Sequence, residues 1–198
     1  MLHLFLYTLT MQKIILASKS PRRKQLLESA NIPFEVITKN TRENYPPTLS
    51  VEEVAKYLAQ KKAKAVAAKH PDRIVLAADT IVTIHNTILG KPTDKEDAIH
   101  MLQVLSNQVH TVITGVCMQQ HDKEMLFIAT TKVYFNPLTI AQIEYYIDTY
   151  KPYDKAGAYG IQDWIGVIGI HYIKGDFYNV MGLPVNLVLK ALGKFSSD

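Results

Sequence analysis

Two serines and two arginines, Ser18, Ser20, Arg22 and Arg23, crowd the polar stretch that follows the apolar run Ile14-Ile15-Leu16-Ala17. Hydroxyls donate hydrogen bonds and guanidinium groups grip phosphate oxygens in pairs, so these residue types suit a polyanion. Ser20 is placed as a helix N-cap and Pro21 as the first helical residue, which aims free backbone N–H groups and a positive dipole end at the same point. The stretch reads equally as a capped surface helix with solvated arginines, and alone it does not choose. Further along, Lys62 falls on the apolar row of a long helix, where a lysine is costly unless an anion or a carboxylate meets it. Asp79 comes directly after the apolar run Ile74-Val75-Leu76-Ala77-Ala78, in sequence that stays extended. A carboxylate held there suits a metal ligand or a base better than a turn cap. Lys91 follows in the turn Gly90-Lys91-Pro92.

These side chains need elements to hold them. The first apolar run has the length and β-branching of a buried strand, and the helix opened at Pro21 stops near Ala30-Asn31. Pro33-Phe34-Glu35-Val36-Ile37 reads as a second strand, and residues 38–48 as a polar loop holding Arg42, Glu43 and Pro46-Pro47. Ser50-Val51-Glu52-Glu53 has capping-box spacing and opens a helix that ends before His70-Pro71, with its apolar row through Val51, Val54, Ala55, Leu58, Ala65 and Val66. Residues 74–78 and then 81–84, the turn His85-Asn86 and Thr87-Ile88-Leu89 predict a strand running into a hairpin. Thr93-Asp94-Lys95-Glu96 predicts another capping box on a helix that reaches Leu105 and gives way at Ser106-Asn107. Residues 109–119 and 125–135 are β-rich and joined by a turn at His121-Asp122-Lys123. Thr139 with Gln142 caps a helix through Tyr150. A loop over 151–162 leads to a glycine-punctuated strand region ending near Ile173, then a turn at Lys174-Gly175-Asp176. A last helix follows Gly182-Leu183-Pro184 and is expected to stop at Gly193.

With 198 residues, 47% hydrophobic and 20% charged, the chain is ample for a real core in one domain, or one domain with two lobes. The net charge of +4 allows an acidic partner without naming it. A single cysteine, Cys117, excludes an internal disulfide, agrees with a reducing compartment and lies in an apolar run as a core thiol would. Residues 1–10 are apolar but far short of the roughly 20 that span a bilayer, and they lack a basic n-region and a cleavage site. A cytoplasmic protein with no membrane partner is therefore expected. No Walker-type Gly-x-x-x-x-Gly-Lys-Ser/Thr and no Gly-x-Gly-x-x-Gly occurs, and the seven histidines show no zinc spacing.

Ser18-Lys19-Ser20-Pro21-Arg22-Arg23-Lys24-Gln25-Leu26-Leu27 resembles the opening signature of the Maf family of nucleoside triphosphate pyrophosphatases. Ala78-Asp79-Thr80, Leu89-Gly90-Lys91-Pro92, His110-Thr111-Val112-Ile113-Thr114-Gly115-Val116, Asp154-Lys155-Ala156-Gly157-Ala158-Tyr159-Gly160-Ile161-Gln162 and Asn179-Val180-Met181-Gly182-Leu183-Pro184 resemble the family's later motifs, in order. The resemblance implies an α/β fold of Maf/ITPase-like type, a mixed, mostly central β-sheet flanked by helices, in two lobes around a nucleotide cleft and usually as a homodimer. It makes residues 11–198 a single catalytic domain and residues 1–10 an extension.

The resemblance also implies roles. Asp79 becomes the proton acceptor, and Ser18, Arg22, Arg23, Lys62, Lys91 and Lys155 surround the triphosphate, with Ser20 among the substrate-binding residues. Glu43 stands beside Asp79 as a second carboxylate for the metal or the water. Arg22, Thr80 and Gln162 match the positions that separate the family's dTTP- and UTP-cleaving branch from its 7-methyl-GTP branch. The implied activity is hydrolysis of these triphosphates to monophosphate and pyrophosphate, removing non-canonical or excess nucleotides. The leaving pyrophosphate carries most of the developing charge, which lysines, arginines and a divalent Mg²⁺ or Mn²⁺ with oxygen ligands would answer. Three departures stand out: Asn107 where a glycine is usual, Asp163-Trp164 in place of a small, glycine-rich continuation after Gln162, and the longer N-terminus.

Two other classes fit parts of the sequence. The basic balance and eleven tyrosines suit a nucleic-acid-binding protein, but no basic-aromatic stripe is present, so no specific nucleic-acid partner is expected. The family's link to septum formation suits a regulatory interaction protein of cell division, a role that would not require Asp79.

Overall fold

In the computed structural model, which describes residues 12–195, the first apolar run forms strand β1 (Ile14–Leu16), with all three side chains inaccessible. The expected extension, residues 1–10, lies outside the described residues. A strand apolar on both faces has no wet side and takes parallel neighbours. Strands β2 (Phe34–Val36) and β3 (Val75–Ile84) both run parallel to it, placing Ile15 opposite Glu35 and Val75. Between β1 and β2 lies helix α1 (Pro21–Ser29), which buries Leu26 and Leu27 and ends where Asn31 turns left-handed at φ 52°.

Helix α2 (Val51–Ala67) begins at the expected capping box. The Ser50 backbone N–H donates to Glu53 Oε2 at 2.8 Å and the Glu53 N–H donates to Ser50 Oγ at 3.3 Å. Its buried face is a run of small residues, Ala55, Ala59, Ala63 and Ala67, and the row passes through Ala63 rather than the expected Ala65. Ala59, Ala63, Val66 and Ala67 share one core cluster with Ile15, Ala17, Val75, Ala77 and Cys117. Burial pushes the Cys117 thiol up to about 12, so it is a core thiol as its apolar run predicts. Small side chains let the helix backbone sit low on the strands, and strand β5 (Val109–Gln120) meets that approach with Gly115. A Cβ at Gly115 would collide with the Ala55 carbonyl and lie 2.7 Å from the Lys56 backbone nitrogen.

Strand β3 runs without a break through Asp79 and Thr80, as the extended pattern predicts, and β4 (Thr87–Leu89) folds back on it antiparallel. The turn is made by His85 and Asn86, both left-handed. Helix α3 (Lys95–Leu105) differs from expectation by one residue at its start. Asp94, not Thr93, is the N-cap and accepts from the Asp97 N–H, while the Asp97 carboxylate accepts from the Thr93 N–H at 3.0 Å. Asn107, which replaces a customary glycine, sits at φ 57°, and asparagine is one of the few side chains that tolerate this region.

Strand β6 (Lys123–Phe135) and helix α4 (Ile140–Tyr150), capped by Thr139 and Gln142, form as predicted. The strand expected through the glycines does not: residues 164–169 are helix α5 (Trp164–Gly169), and only Ile170–Lys174 forms strand β7, antiparallel to β6. Extended Asp163 starts that helix, and Gly166 lets its first turn lie against the Ile161 carbonyl. A short helix α6 (Phe177–Met181) lies between the 175–176 turn and Gly182. Helix α7 (Val185–Phe195) then runs through Gly193 instead of stopping there. Ala191, Leu192 and Phe195 are buried, so packing holds the helix past its glycine.

The strands are ordered β2-β1-β3-β5-β6-β7, with β4 on β3, which gives the mixed sheet with helices that the resemblance implies. The chain divides into two compact units. Among the described residues the first takes in 12–79, 115–128 and 182–195, and the second 80–114 and 129–181. No helix among the described residues is long and apolar enough to cross a membrane.

Replacing Gly115 by alanine forces α2 away from β5, because the obstacle is backbone and not a movable side chain. Gly115→Ala is expected to cost about 1 to 3 kcal/mol of folding stability. Urea unfolding checks this: the midpoint falls with the slope unchanged, whereas an unaltered midpoint refutes the close approach.

Candidate active site

In the first unit, Lys62, Asp79 and Glu43 come together. The Lys62 ammonium donates to Asp79 Oδ1 in a short, partly buried contact and to Glu43 Oε1 at 2.8 Å. The Lys62 and Asp79 side chains are only 18% and 12% exposed, against 49% for Glu43, so the inner pair is shielded from salt and the outer carboxylate meets solvent. The cost anticipated for a lysine on the inward row of α2 is thus met by carboxylates from β3 and from the 38–48 loop. The neighbouring Lys61 ties that loop down as well, donating to the Asn44 carbonyl at 3.2 Å and to Asn44 Oδ1 at 2.7 Å.

Arg23 is buried, unlike a solvated surface arginine. Its Nε donates to the Gly182 carbonyl at 2.8 Å and its Nη1 to Ser18 Oγ at 3.1 Å. Burial lowers its pKa and the Asp79 carboxylate pulls it back up, while the charge of Arg22 lowers it and that of Glu43 raises it. The guanidinium therefore feels both carboxylates of the Lys62 cluster. Ser18 Oγ also accepts from the Ser20 N–H at 3.2 Å. Ser20 is the N-cap of α1 by backbone conformation, yet its hydroxyl makes no cap hydrogen bond. Arg22 is half-buried on the first turn of α1.

In the second unit, Thr80 does not join Asp79. Successive strand residues face opposite ways, and its hydroxyl lies 3.0 Å from that of Thr114 on β5. The Thr114 hydroxyl donates to the Asn179 carbonyl, which leaves Thr80 as the donor to Thr114. Lys91 is exposed, and its loop is tied to that of Lys155 by the Gly157 N–H donating to the Gly90 carbonyl at 2.9 Å. Gly157 has φ 69° and faces Val82, so this position takes glycine. The Lys155 ammonium pairs with Asp154 at 2.8 Å and lies 3.9 Å from Asp163. Gln162 is exposed and donates through Nε2 to Asp163 Oδ1 at 3.0 Å. Trp164 packs edge-on against Tyr145, with ring centres 4.9 Å apart.

Three residues named above within a motif or a departure, but assigned no role there, hold these groups. Asn179 is inaccessible and donates to the Val112 carbonyl and to Thr131 Oγ1, joining α6 to β5 and β6. Gly182 supplies the acceptor for Arg23. Asp163 links Gln162 to buried Tyr146, and its place outside the family pattern was the only signal. The buried His110 shares a 2.7 Å hydrogen bond with Tyr159, and burial lowers its pKa to about 3, so it is a neutral core histidine.

Among the described residues no three His, Cys, Asp or Glu side chains gather as metal ligands. Glu43 and Asp79 do converge on one cation, the Lys62 ammonium. An all-oxygen pair of this kind fits a hard divalent ion that takes its remaining ligands from phosphate and water.

Comparison with known proteins agrees with the motifs. A protein of Cytophaga hutchinsonii named dTTP/UTP pyrophosphatase is 54% identical over 181 residues, covering 91% of this chain and 83% of that protein. One of the same name from Phocaeicola vulgatus is 49% identical over 184 residues, covering 92% and 95%. Among solved structures, the Staphylococcus aureus Ham1 protein aligns over 63% of this chain and 72% of its own at 19% identity, with a TM-score of 0.43. The family described as Maf-like protein matches residues 13–195. With that match spanning nearly all of the described residues, and with relatives of about half-identical sequence, the chain belongs to the Maf-like protein family.

Proposed function

We propose that this chain hydrolyses nucleoside triphosphates, dTTP and UTP foremost, to the monophosphate and pyrophosphate, and so removes excess or non-canonical nucleotides. The observation that carries this is the Lys62 ammonium shared by Asp79 and Glu43, in electrostatic reach of buried Arg23. The names of the relatives support the substrate class. On this reading residues 11–198 act as one catalytic domain in the cytoplasm, as a homodimer, with residues 1–10 an extension.

The chemistry follows from the charges. A triphosphate outbids either carboxylate for a lysine, so Lys62 turns to the phosphates and frees Asp79 Oδ1. Asp79 then accepts a proton from a water as its oxygen bonds to the α phosphorus and the α–β bridging bond breaks, releasing pyrophosphate. Ser18, Ser20, Arg22, Arg23, Lys91 and Lys155 bind the phosphates and neutralise the charge that gathers on the leaving group. Glu43 and Asp79 would hold Mg²⁺ or Mn²⁺, which would polarise phosphate oxygens when bound. Arg22, Thr80 and Gln162 set the base preference. Exposed tyrosines are scattered over α2, α4, β7, α6 and two loops, with only Tyr145 and Tyr150 sharing an element, and nothing specific favours nucleic acid or a purely regulatory role.

A panel of nucleoside triphosphates with Mg²⁺ or Mn²⁺ tests the activity. Monophosphate and pyrophosphate should form in equal amounts, fastest from dTTP and UTP. Release of orthophosphate, or a faster reaction with GTP or 7-methyl-GTP, counts against the proposal.

Asp79 separates an enzyme from a binding module. Asp79→Asn keeps the shape but not the base, so turnover should drop by about two to four orders of magnitude while the fold and most nucleotide affinity persist. Lys62→Ala should weaken binding as well as rate. Near-normal turnover in Asp79→Asn, with calorimetry showing intact binding, would make the carboxylate structural.

A further inference from the structure

We propose that Asp163 is a positioning residue that fixes the orientation of the Gln162 amide and thereby selects uracil and thymine over cytosine. This rests on the reading of Gln162 as a base-reading residue. A carboxylate only accepts hydrogen bonds, so the one end of Gln162 that can face it is the NH₂ end, and Nε2 donates to Asp163 Oδ1 at 3.0 Å.

The carboxylate is itself held. Its other oxygen, Oδ2, accepts from the Tyr146 hydroxyl at 2.7 Å, and that hydroxyl accepts from the Gly160 N–H at 3.0 Å. Tyr146 is inaccessible to solvent, so Asp163 is anchored to the core by a partner that cannot move aside. The Lys155 ammonium lies 3.9 Å from the same Oδ2. Gly160 completes the fit, since a Cβ there would come within 2.8 Å of Gln162 Nε2.

Held this way, Gln162 has one N–H committed to Asp163 and keeps a second N–H beside its Oε1. That remaining pair complements an imide edge: Oε1 accepts from the N3–H of uracil or thymine, and the N–H donates to O4. Cytosine presents the reverse, an acceptor at N3 and an amino donor at C4. Reading it requires the amide to flip, which would turn Oε1 toward the Asp163 carboxylate. Asparagine at 163 has one donor and one acceptor, so it can satisfy Gln162 in either orientation and removes the bias.

The test compares kcat/KM for UTP and CTP, and for dTTP and dCTP, by pyrophosphate release from the wild type, Asp163→Asn and Tyr146→Phe, each checked by thermal unfolding. The wild type should prefer the imide bases, and Asp163→Asn should lower that preference by about tenfold, mainly through KM for the cytosine substrate. Tyr146→Phe, which loses the anchor but leaves the acceptor-only carboxylate facing Gln162, should lose stability and relax the preference less than Asp163→Asn does. If Asp163→Asn does not fold, Asp163→Gly must relax the preference in its place. A folded position-163 variant with the wild-type ratio overturns the proposal, and so does a Tyr146→Phe variant that relaxes it equally, because the effect would then be general loosening. A wild type that cleaves uracil and cytosine substrates alike overturns the inference but leaves the pyrophosphatase reading standing. A wild type that cleaves none of the four overturns both.

Discussion

A lysine ammonium placed on the inward edge of a helix has to be answered by negative charge, and in the first unit the rest of the arrangement follows from that demand. Lys62 sits one residue from Ala63, on the face that α2 lays against the strands, and Asp79 and Glu43 meet it. Arg23 adds a second cation within their field, so the two carboxylates and two cations balance. Desolvating charges is expensive, and a buried pair of this kind is seldom retained for stability alone. In the proposed function its value is chemical: a cation and a base are poised in partly buried surroundings for a triphosphate to rearrange.

The geometry around that pair is set by backbone contacts. The alanine face of α2 and the missing side chain at Gly115 fix how low the helix rides, hence where Nζ of Lys62 can reach. The capping box at Ser50 and Glu53 fixes where the helix starts, and the bonds from Lys61 to Asn44 bring the loop carrying Glu43 down to it. Arg23 is held from the other end of the sequence by the Gly182 carbonyl, so its guanidinium is placed before any ligand arrives.

The second unit holds its polar groups differently, by relays that end in the core. Asn179 fastens α6 to β5 and β6, and Tyr146 anchors Asp163 beside an exposed Gln162. Candidate substrate-binding side chains ride on loops here, and buried hydroxyls and amides give those loops the rigidity that a strand gives Asp79.

Residue pattern alone determined the elements whose signals are local. The capping boxes at Ser50 and Thr139, the extended run through Asp79, the inward position of Lys62 and the core character of Cys117 all depend on period and neighbours along the chain. The tertiary structure decided whatever depends on distant partners: which carboxylates answer Lys62, that Arg23 is buried against Gly182 across 159 positions of sequence, and that Thr80 turns to Thr114. It also overruled local pattern where packing was stronger. Residues 164–169 coil because Asp163 and the absent side chain at Gly166 favour a tight turn on the Ile161 carbonyl, and α7 passes through Gly193 because Phe195 is buried beyond it. Helical and strand periods are written into neighbouring residues. The pairing of charges and the burial of a helix end are settled only when separate segments close on one another, and nothing in the local pattern records that event.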